Sequence, residues 1–220
     1  VTGGVGPRQQ NEGMTSDYDL PAEGAYLETC AAVALVFWSH RLYLATGDAP
    51  SKEVITFVAV TQRTGIAAFR LEALTHDSLP RRGPGRAPNG NFALGDFQVT
   101  ARAADGPGEP AVVKLVAARA THEQNNSSLS VAASIDDDPI SGWAVDGQIG
   151  RDQAAVFFPD QPVAFAAGTR LTVRMTFNHP NTKHTVGRFR LSVSQQPNAE
   201  PVVGNQGLSK NVVDALTRLK

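Results

Sequence analysis

The chain is poor in cysteine, methionine and tryptophan, with one, two and two residues among its 220. A single cysteine excludes an internal disulfide framework and a zinc site built from cysteines alone. The 20 Lys and Arg are balanced by 21 Asp and Glu, so no basic excess indicates nucleic acid as a partner. The longest apolar run, residues 31–37, is too short to span a bilayer, so membrane insertion is not expected.

Glycine and proline are abundant, with 20 and 14 residues, whereas only 19% of the chain is charged. This composition favours short strands and many turns over a helical bundle. The first residues show no basic segment followed by an apolar one, so no signal peptide is predicted in this chain.

Apolar and polar residues alternate from about residue 53 onward, which is typical of half-buried antiparallel strands. Such strands, packed as two sheets, predict a mainly β protein with a β-sandwich fold. The predicted strands are 54–60, 69–73, 92–101, 112–120, 131–135, 154–158, 170–177 and 188–193.

Two segments have helical periodicity instead. Residues 22–46 place apolar side chains at three- and four-residue steps, and 208–220 predict a short amphipathic helix. We therefore divide the chain into an N-terminal helical piece (1–52), a β-sandwich (53–194), and a linker with a short helix (195–220).

The N-terminal piece carries several short motifs in a recognisable order: Val-Thr-Gly-Gly-Val-Gly at 1–6, Asn-Glu-Gly at 11–13, Asp-Tyr-Asp-Leu-Pro at 17–21, Tyr-Leu-Glu-Thr-Cys-Ala at 26–31 and Leu-Ala-Thr-Gly-Asp at 44–48. It resembles part of the catalytic domain of glycoside hydrolase family 127, the β-L-arabinofuranosidase family, which folds as an α/α toroid. The resemblance implies that Glu12 is the acid/base and that Glu28 and Cys30 bind zinc. Two further adjacent cysteines complete the family's zinc site, one of them the nucleophile, and this chain has neither.

The residues themselves agree with an incomplete site. Zinc sites use three or four protein ligands, and Glu28 and Cys30 supply two, so Zn²⁺ is expected only if the site is completed elsewhere. The alternative is structural: Cys30 is a small buried apolar residue and Glu28 a carboxylate in the first turn of a helix.

The β-rich part carries a second set of motifs, at 64–66, 70–74, 83–92, 118–121, 135–139, 142–143 and 184–192. It resembles the β-sandwich module of planctomycete-type multidomain proteins that also contain cytochrome-like domains. That module is similar in outline to discoidin-type, galactose-binding-like jelly rolls. The resemblance implies an antiparallel jelly-roll β-sandwich, end loops that bind glycans, a structural Ca²⁺, neighbouring domains, and an extracellular or periplasmic location in a bacterium.

Candidate binding residues lie in two loops. Arg86 and Asn89 belong to a long Pro/Gly loop, and Asp136, Asp138 and Trp143 would present acids and an aromatic ring to a sugar. The alternatives are a rigid turn with solvated arginines and a tryptophan that packs over the end of the sandwich.

Two further pairs are candidates for metal binding. Oxygen ligands from Asp77 and Asn91 suit calcium. His179 and His184 flank a predicted hairpin tip, as either a metal pair or two solvated loop histidines.

Three functions follow. The first is a non-catalytic module that binds a polysaccharide or another surface ligand and carries a remnant of a β-L-arabinofuranosidase-type hydrolase. The second is a glycoside hydrolase acting on arabinofuranosides. The third is a structural module that packs between the domains of a larger polypeptide.

Overall fold

The computed structural model describes residues 52–105, 108–138 and 140–204, and the regular secondary structure of these residues is almost entirely antiparallel sheet. Two short 3₁₀ turns, Pro80–Arg82 and Ala132–Ser134, interrupt the strands. The strands are β1 (Glu53–Thr61), β2 (Ala68–Ala73), β3 (Ala93–Leu94), β4 (Asp96–Ala103), β5 (Ala111–Val113), β6 (Leu115–Ala120), β7 (Trp143–Ala144), β8 (Gln153–Pro159), β9 (Thr169–Phe177) and β10 (Phe189–Ser194).

The strands pair into two four-stranded sheets and a two-stranded ribbon. The first sheet has the order β1-β9-β4-β5, the second β10-β2-β8-β6, and the ribbon pairs β3 with β7. Each pairing is antiparallel, so the prediction of a mainly β, antiparallel protein is confirmed. The jelly-roll connectivity stays a prediction.

The two sheets face each other across one hydrophobic core. Phe97 of β4 and Phe157 of β8 belong to different sheets, and their rings stack with centroids 3.9 Å apart. In β9, Leu171, Val173 and Met175 are buried while the residues between them are not, as the alternating pattern predicted. The period of two thus points the apolar face of β9 at the opposite sheet.

Residues 112–120, predicted as one strand, are two strands in different sheets. β5 pairs with β4 in the first sheet and β6 pairs with β8 in the second. Lys114 lies between them, so the chain crosses from one sheet to the other at that residue. The prediction of one continuous strand there is wrong, because a period of two does not reveal which partner a strand takes.

The predicted strand at 131–135 is also wrong, because local side chains bind its backbone. A 3₁₀ turn covers Ala132–Ser134, and the Ser134 hydroxyl donates to the Val131 carbonyl at 2.7 Å. A carboxylate oxygen of Glu123 accepts from the Val131 backbone N–H, also at 2.7 Å. Serine hydroxyls and acidic side chains that bond nearby backbone compete with sheet pairing.

The outer face of the second sheet is covered by the segment 195–204, which the sequence predicted as part of a linker. Glu72 of β2, expected on a wet face, is 0% exposed under it. Its carboxylate accepts from Arg190 Nε at 2.5 Å, from Arg190 Nη2 at 2.7 Å and from the Gly204 backbone N–H at 2.8 Å. Arg70 lies 3.5 Å from the same carboxylate and donates to the Val202 carbonyl, so the segment is bonded to the sheet at two points.

The predicted helices at 22–46 and 208–220 lie outside the described residues. Within the described part of the chain, no helix is long and apolar enough to cross a membrane.

Candidate functional site

The long loop after β2 is ordered by its own glycines and by the segment before β10. The Gly85 N–H donates to the Gly90 carbonyl at 3.0 Å, and Gly187 donates to the Pro84 carbonyl at 2.7 Å. A Cβ built on Gly85 would lie 1.9 Å from the backbone oxygen of Asn91, so only glycine fits there. The loop is therefore a packed part of the domain.

Arg86, a predicted ligand-binding residue, is engaged within the protein. One of its guanidinium nitrogens, Nη1, lies 3.2 Å from Glu53 of β1, and the arginine side chain is 11% exposed. Its backbone N–H donates to the Thr185 carbonyl at 2.9 Å. Arg86 therefore joins the loop to β1 and to the segment before β10.

Asn91, a predicted calcium ligand, uses its side chain to join three segments. It is buried, its Nδ2 donates to Gln124 at 3.0 Å, and its Oδ1 accepts from the Val145 backbone N–H at 3.0 Å. The neighbouring Asn89 accepts from the Asn91 backbone N–H through Oδ1 at 3.1 Å, an Asx turn.

Asp77, the second predicted calcium ligand, is exposed and forms an ion pair with Arg82 at 3.3 Å. Across 52–105, 108–138 and 140–204, no three His, Cys, Asp or Glu side chains form a group suited to a metal ion.

The loop of Asp136 and Asp138 is a self-bonded turn. Both Asp136 carboxylate oxygens accept from the Ser141 hydroxyl, at 2.9 and 3.1 Å, and Asp138 accepts from the Ile140 backbone N–H at 3.0 Å. Asp137 between them has φ of 62°, the left-handed conformation that Asp tolerates in turns. Both aspartates lie on an exposed loop, but their carboxylate oxygens accept hydrogen bonds from within the turn.

Trp143 is buried, so the prediction that its ring is exposed to stack on a sugar is wrong. The side chain is 0% exposed, and its ring lies edge-on to Phe92 with centroids 5.1 Å apart. The indole N–H donates to the His122 carbonyl at 2.9 Å. A buried tryptophan with its polar atom satisfied is a core residue, so it offers no face to a ligand.

The structure instead assembles a small polar cleft at one end of the sandwich, with a volume of about 140 Å³. It lies between the 89–91 loop, the start of the loop after β6, the residues after β7 and the 178–184 segment. We call it the polar cleft, and its polar lining residues are Asn89, Asn91, Gln124, Asp146, His179, Asn181 and His184.

The two histidines that flank the predicted hairpin tip lie together in the polar cleft. The ring centroids of His179 and His184 are 5.8 Å apart, and the rings are tilted by 43°. Partial burial and the nearby His184 lower the pKa of His179 below the usual histidine value, because both disfavour the charged ring. The sequence left open whether these two histidines form a metal pair or are solvated loop residues, and the structure shows that their rings share one cleft.

Gln124, Asp146 and Asn181 were missed by sequence reasoning. The first follows β6, the second follows β7 and the third precedes β10, so no local motif connects them. Only Asn181, between two histidines in a Pro-containing turn, carried a signal that could have marked it.

The residues implied by the hydrolase resemblance, Glu12, Glu28 and Cys30, lie outside the described residues. A family model described as the β-L-arabinofuranosidase GH127 catalytic domain matches residues 1–55 of the 220. The last three matched residues, 53–55, are the first three of β1. No curated protein and no solved structure gives a significant match. The chain thus contains a fragment similar to that catalytic domain, and the discoidin-like resemblance stays a prediction.

Proposed function

We propose that the described β-sandwich is a non-catalytic carbohydrate-binding module and that the polar cleft is its ligand site. The observation that carries the proposal is the chemistry of the cleft lining, in which amides and imidazoles outnumber the single carboxylate of Asp146. Amides both donate and accept hydrogen bonds, as sugar hydroxyls do, so the two are complementary. Such a module acts in the periplasm or outside a bacterial cell.

The size of the polar cleft limits what it binds. Its volume of about 140 Å³ is below the roughly 300–1,000 Å³ of sites that enclose drug-sized ligands. Trp143 is buried and adds no stacking surface. We therefore expect weak binding of one terminal sugar unit of a glycan.

Affinity electrophoresis of the full chain through gels containing arabinan, arabinogalactan or xylan tests the proposal. We expect retardation by at least one polymer, weakened about five-fold by Asn181→Ala through loss of one hydrogen-bonding group. The matched control is Asn198→Ala, an exposed asparagine outside the cleft lining, which should migrate as the parent does. Absence of retardation by every polymer would refute the proposal.

A second candidate, an arabinofuranoside hydrolase, is favoured by the family match over 1–55. In that case Glu12 would serve as acid/base and Glu28 and Cys30 would hold zinc, with the remaining ligands supplied by another chain. Stoichiometric zinc that is lost in Cys30→Ser, together with arabinose release from a chromogenic arabinofuranoside, would support it. A chain that contains no zinc and releases no arabinose would contradict the hydrolase. The remaining candidates would then be the binding module and a module that packs between neighbouring domains.

A further inference from the structure

His179 has its tautomer set by the turn that follows it. The backbone N–H of Asn181 donates to His179 Nδ1 at 3.1 Å. A backbone N–H is only a donor, so this ring nitrogen must carry the lone pair. The neutral ring therefore keeps its proton on Nε2, which is a hydrogen-bond donor.

His184 has the opposite tautomer for the same kind of reason. Its Nδ1 lies 3.0 Å from the Thr182 carbonyl oxygen, which is only an acceptor. Nδ1 must therefore carry the proton, and the neutral ring has its lone pair on Nε2. Lys183, between these two residues, has φ of 64°, a left-handed conformation that lysine rarely adopts.

We propose that His179 and His184 form a donor–acceptor pair that recognises one neutral hydroxyl group of a sugar or polyol in the polar cleft. The inference rests on the proposed function and specifies its recognition chemistry. A hydroxyl both donates and accepts, so it satisfies the Nε2–H of His179 and the Nε2 lone pair of His184 together. A carboxylate only accepts and an ammonium only donates, so each satisfies one ring and opposes the other.

The charged and titratable groups that face the pair within the cleft are Asp146 and the two rings themselves. Asp146 disfavours an anionic ligand.

Nitrogen-15 NMR of the full chain tests the tautomers without any ligand. Long-range proton–nitrogen spectra near neutral pH should show the Nε2–H form for His179 and the Nδ1–H form for His184, with signals assigned from His179→Gln and His184→Gln. The same tautomer on both rings, or the reverse assignment, would overturn the inference and leave the proposed function standing.

Titration with L-arabinose, D-galactose and D-xylose, and separately with acetate, tests the recognition. We expect at least one sugar to shift the ring nitrogens of both histidines and acetate to leave them unchanged. Sugar affinity should fall about five-fold or more in His184→Gln. His76→Gln, a histidine outside the cleft, is the matched control and should bind as the parent does. Acetate affinity equal to sugar affinity would overturn the inference about the histidine pair but not the proposed function. Correct tautomers with no sugar bound at any pH would overturn the proposed function and this inference together.

Discussion

The buried carboxylate of Glu72 gives the sharpest test of what holds the second sheet to its covering segment. Glu72 is 0% exposed and receives two hydrogen bonds from Arg190, whose side chain is 39% exposed. Arg190→Met keeps the aliphatic part of the side chain and removes the guanidinium. In this variant the Glu72 carboxylate still accepts a hydrogen bond from the Gly204 N–H at 2.8 Å and still forms an ion pair with Arg70 at 3.5 Å.

The size of the loss follows from these remaining partners. Removing one member of a buried ion pair costs about 3–5 kcal/mol when the other charge is left alone. Because Gly204 and Arg70 still stabilise Glu72, and Arg190 is partly solvated, we expect a loss of about 2–3 kcal/mol. With a urea m-value of about 2 kcal/mol/M, the unfolding midpoint falls by about 1–1.5 M.

The matched control lies on the same sheet. Arg119 Nη1 is 3.7 Å from Glu200, and both side chains are more than half exposed. Arg119→Met removes a surface ion pair and should cost less than about 1 kcal/mol. Urea unfolding of the full chain, followed by circular dichroism, measures both variants.

Two results would refute this reasoning. One is a loss in Arg190→Met that is no larger than the loss in Arg119→Met. The other is strict additivity of Arg190→Met with Glu72→Gln. We expect the double variant to lose at least about 1 kcal/mol less than the sum, because the neutral amide no longer needs the guanidinium.

Three further predictions concern the core, the loop and pH. Trp143→Phe should lower the free energy of unfolding by about 2–3 kcal/mol, because it leaves a cavity and removes the indole donor from the His122 carbonyl; a loss below about 0.5 kcal/mol in urea unfolding would contradict the burial. Gly85→Ala should abolish the folded state or destabilise it by more than about 3 kcal/mol, since the new Cβ meets a backbone oxygen. In the control, Gly108→Ala, the Cβ enters open space and stability should change by less than about 0.5 kcal/mol. Equal melting temperatures of the two variants by circular dichroism would argue against the packed loop. Burial and the nearby His184 lower the pKa of His179 in the folded state. Between that pKa and about 6.5 the unfolded chain therefore binds more protons than the folded chain, and the free energy of unfolding rises with pH. His179→Gln should flatten this rise, and an unchanged pH slope in the variant would contradict the lowered pKa.

Much of the sheet structure was predictable from local pattern. The alternation of buried and more exposed residues in β9 reflects a property of the strand itself, because neighbouring side chains point to opposite faces. The predicted strand at 131–135 failed because Ser134 and Glu123 bond its backbone, which apolar content does not reveal.

The candidate site was less predictable. The sequence placed His179 and His184 on either side of one turn, with four residues between them, and left open whether they act together. It did not identify Gln124 or Asp146, which lie more than thirty residues away along the chain. Their position beside the histidines depends on Asn91, whose amide bonds both Gln124 and Val145.

Periodicity and motif order are local properties, so the amino-acid sequence is enough to predict a mainly β protein with antiparallel strands. It is also enough to show that the first residues resemble a β-L-arabinofuranosidase catalytic domain. The core position of Trp143, the burial of Glu72 beneath 195–204 and the polar cleft at one end of the sandwich are seen only in the folded chain. Burial and side-chain partners depend on which distant segment covers a face, and local pattern does not contain that information. A strand's own residues specify the face but not what covers it.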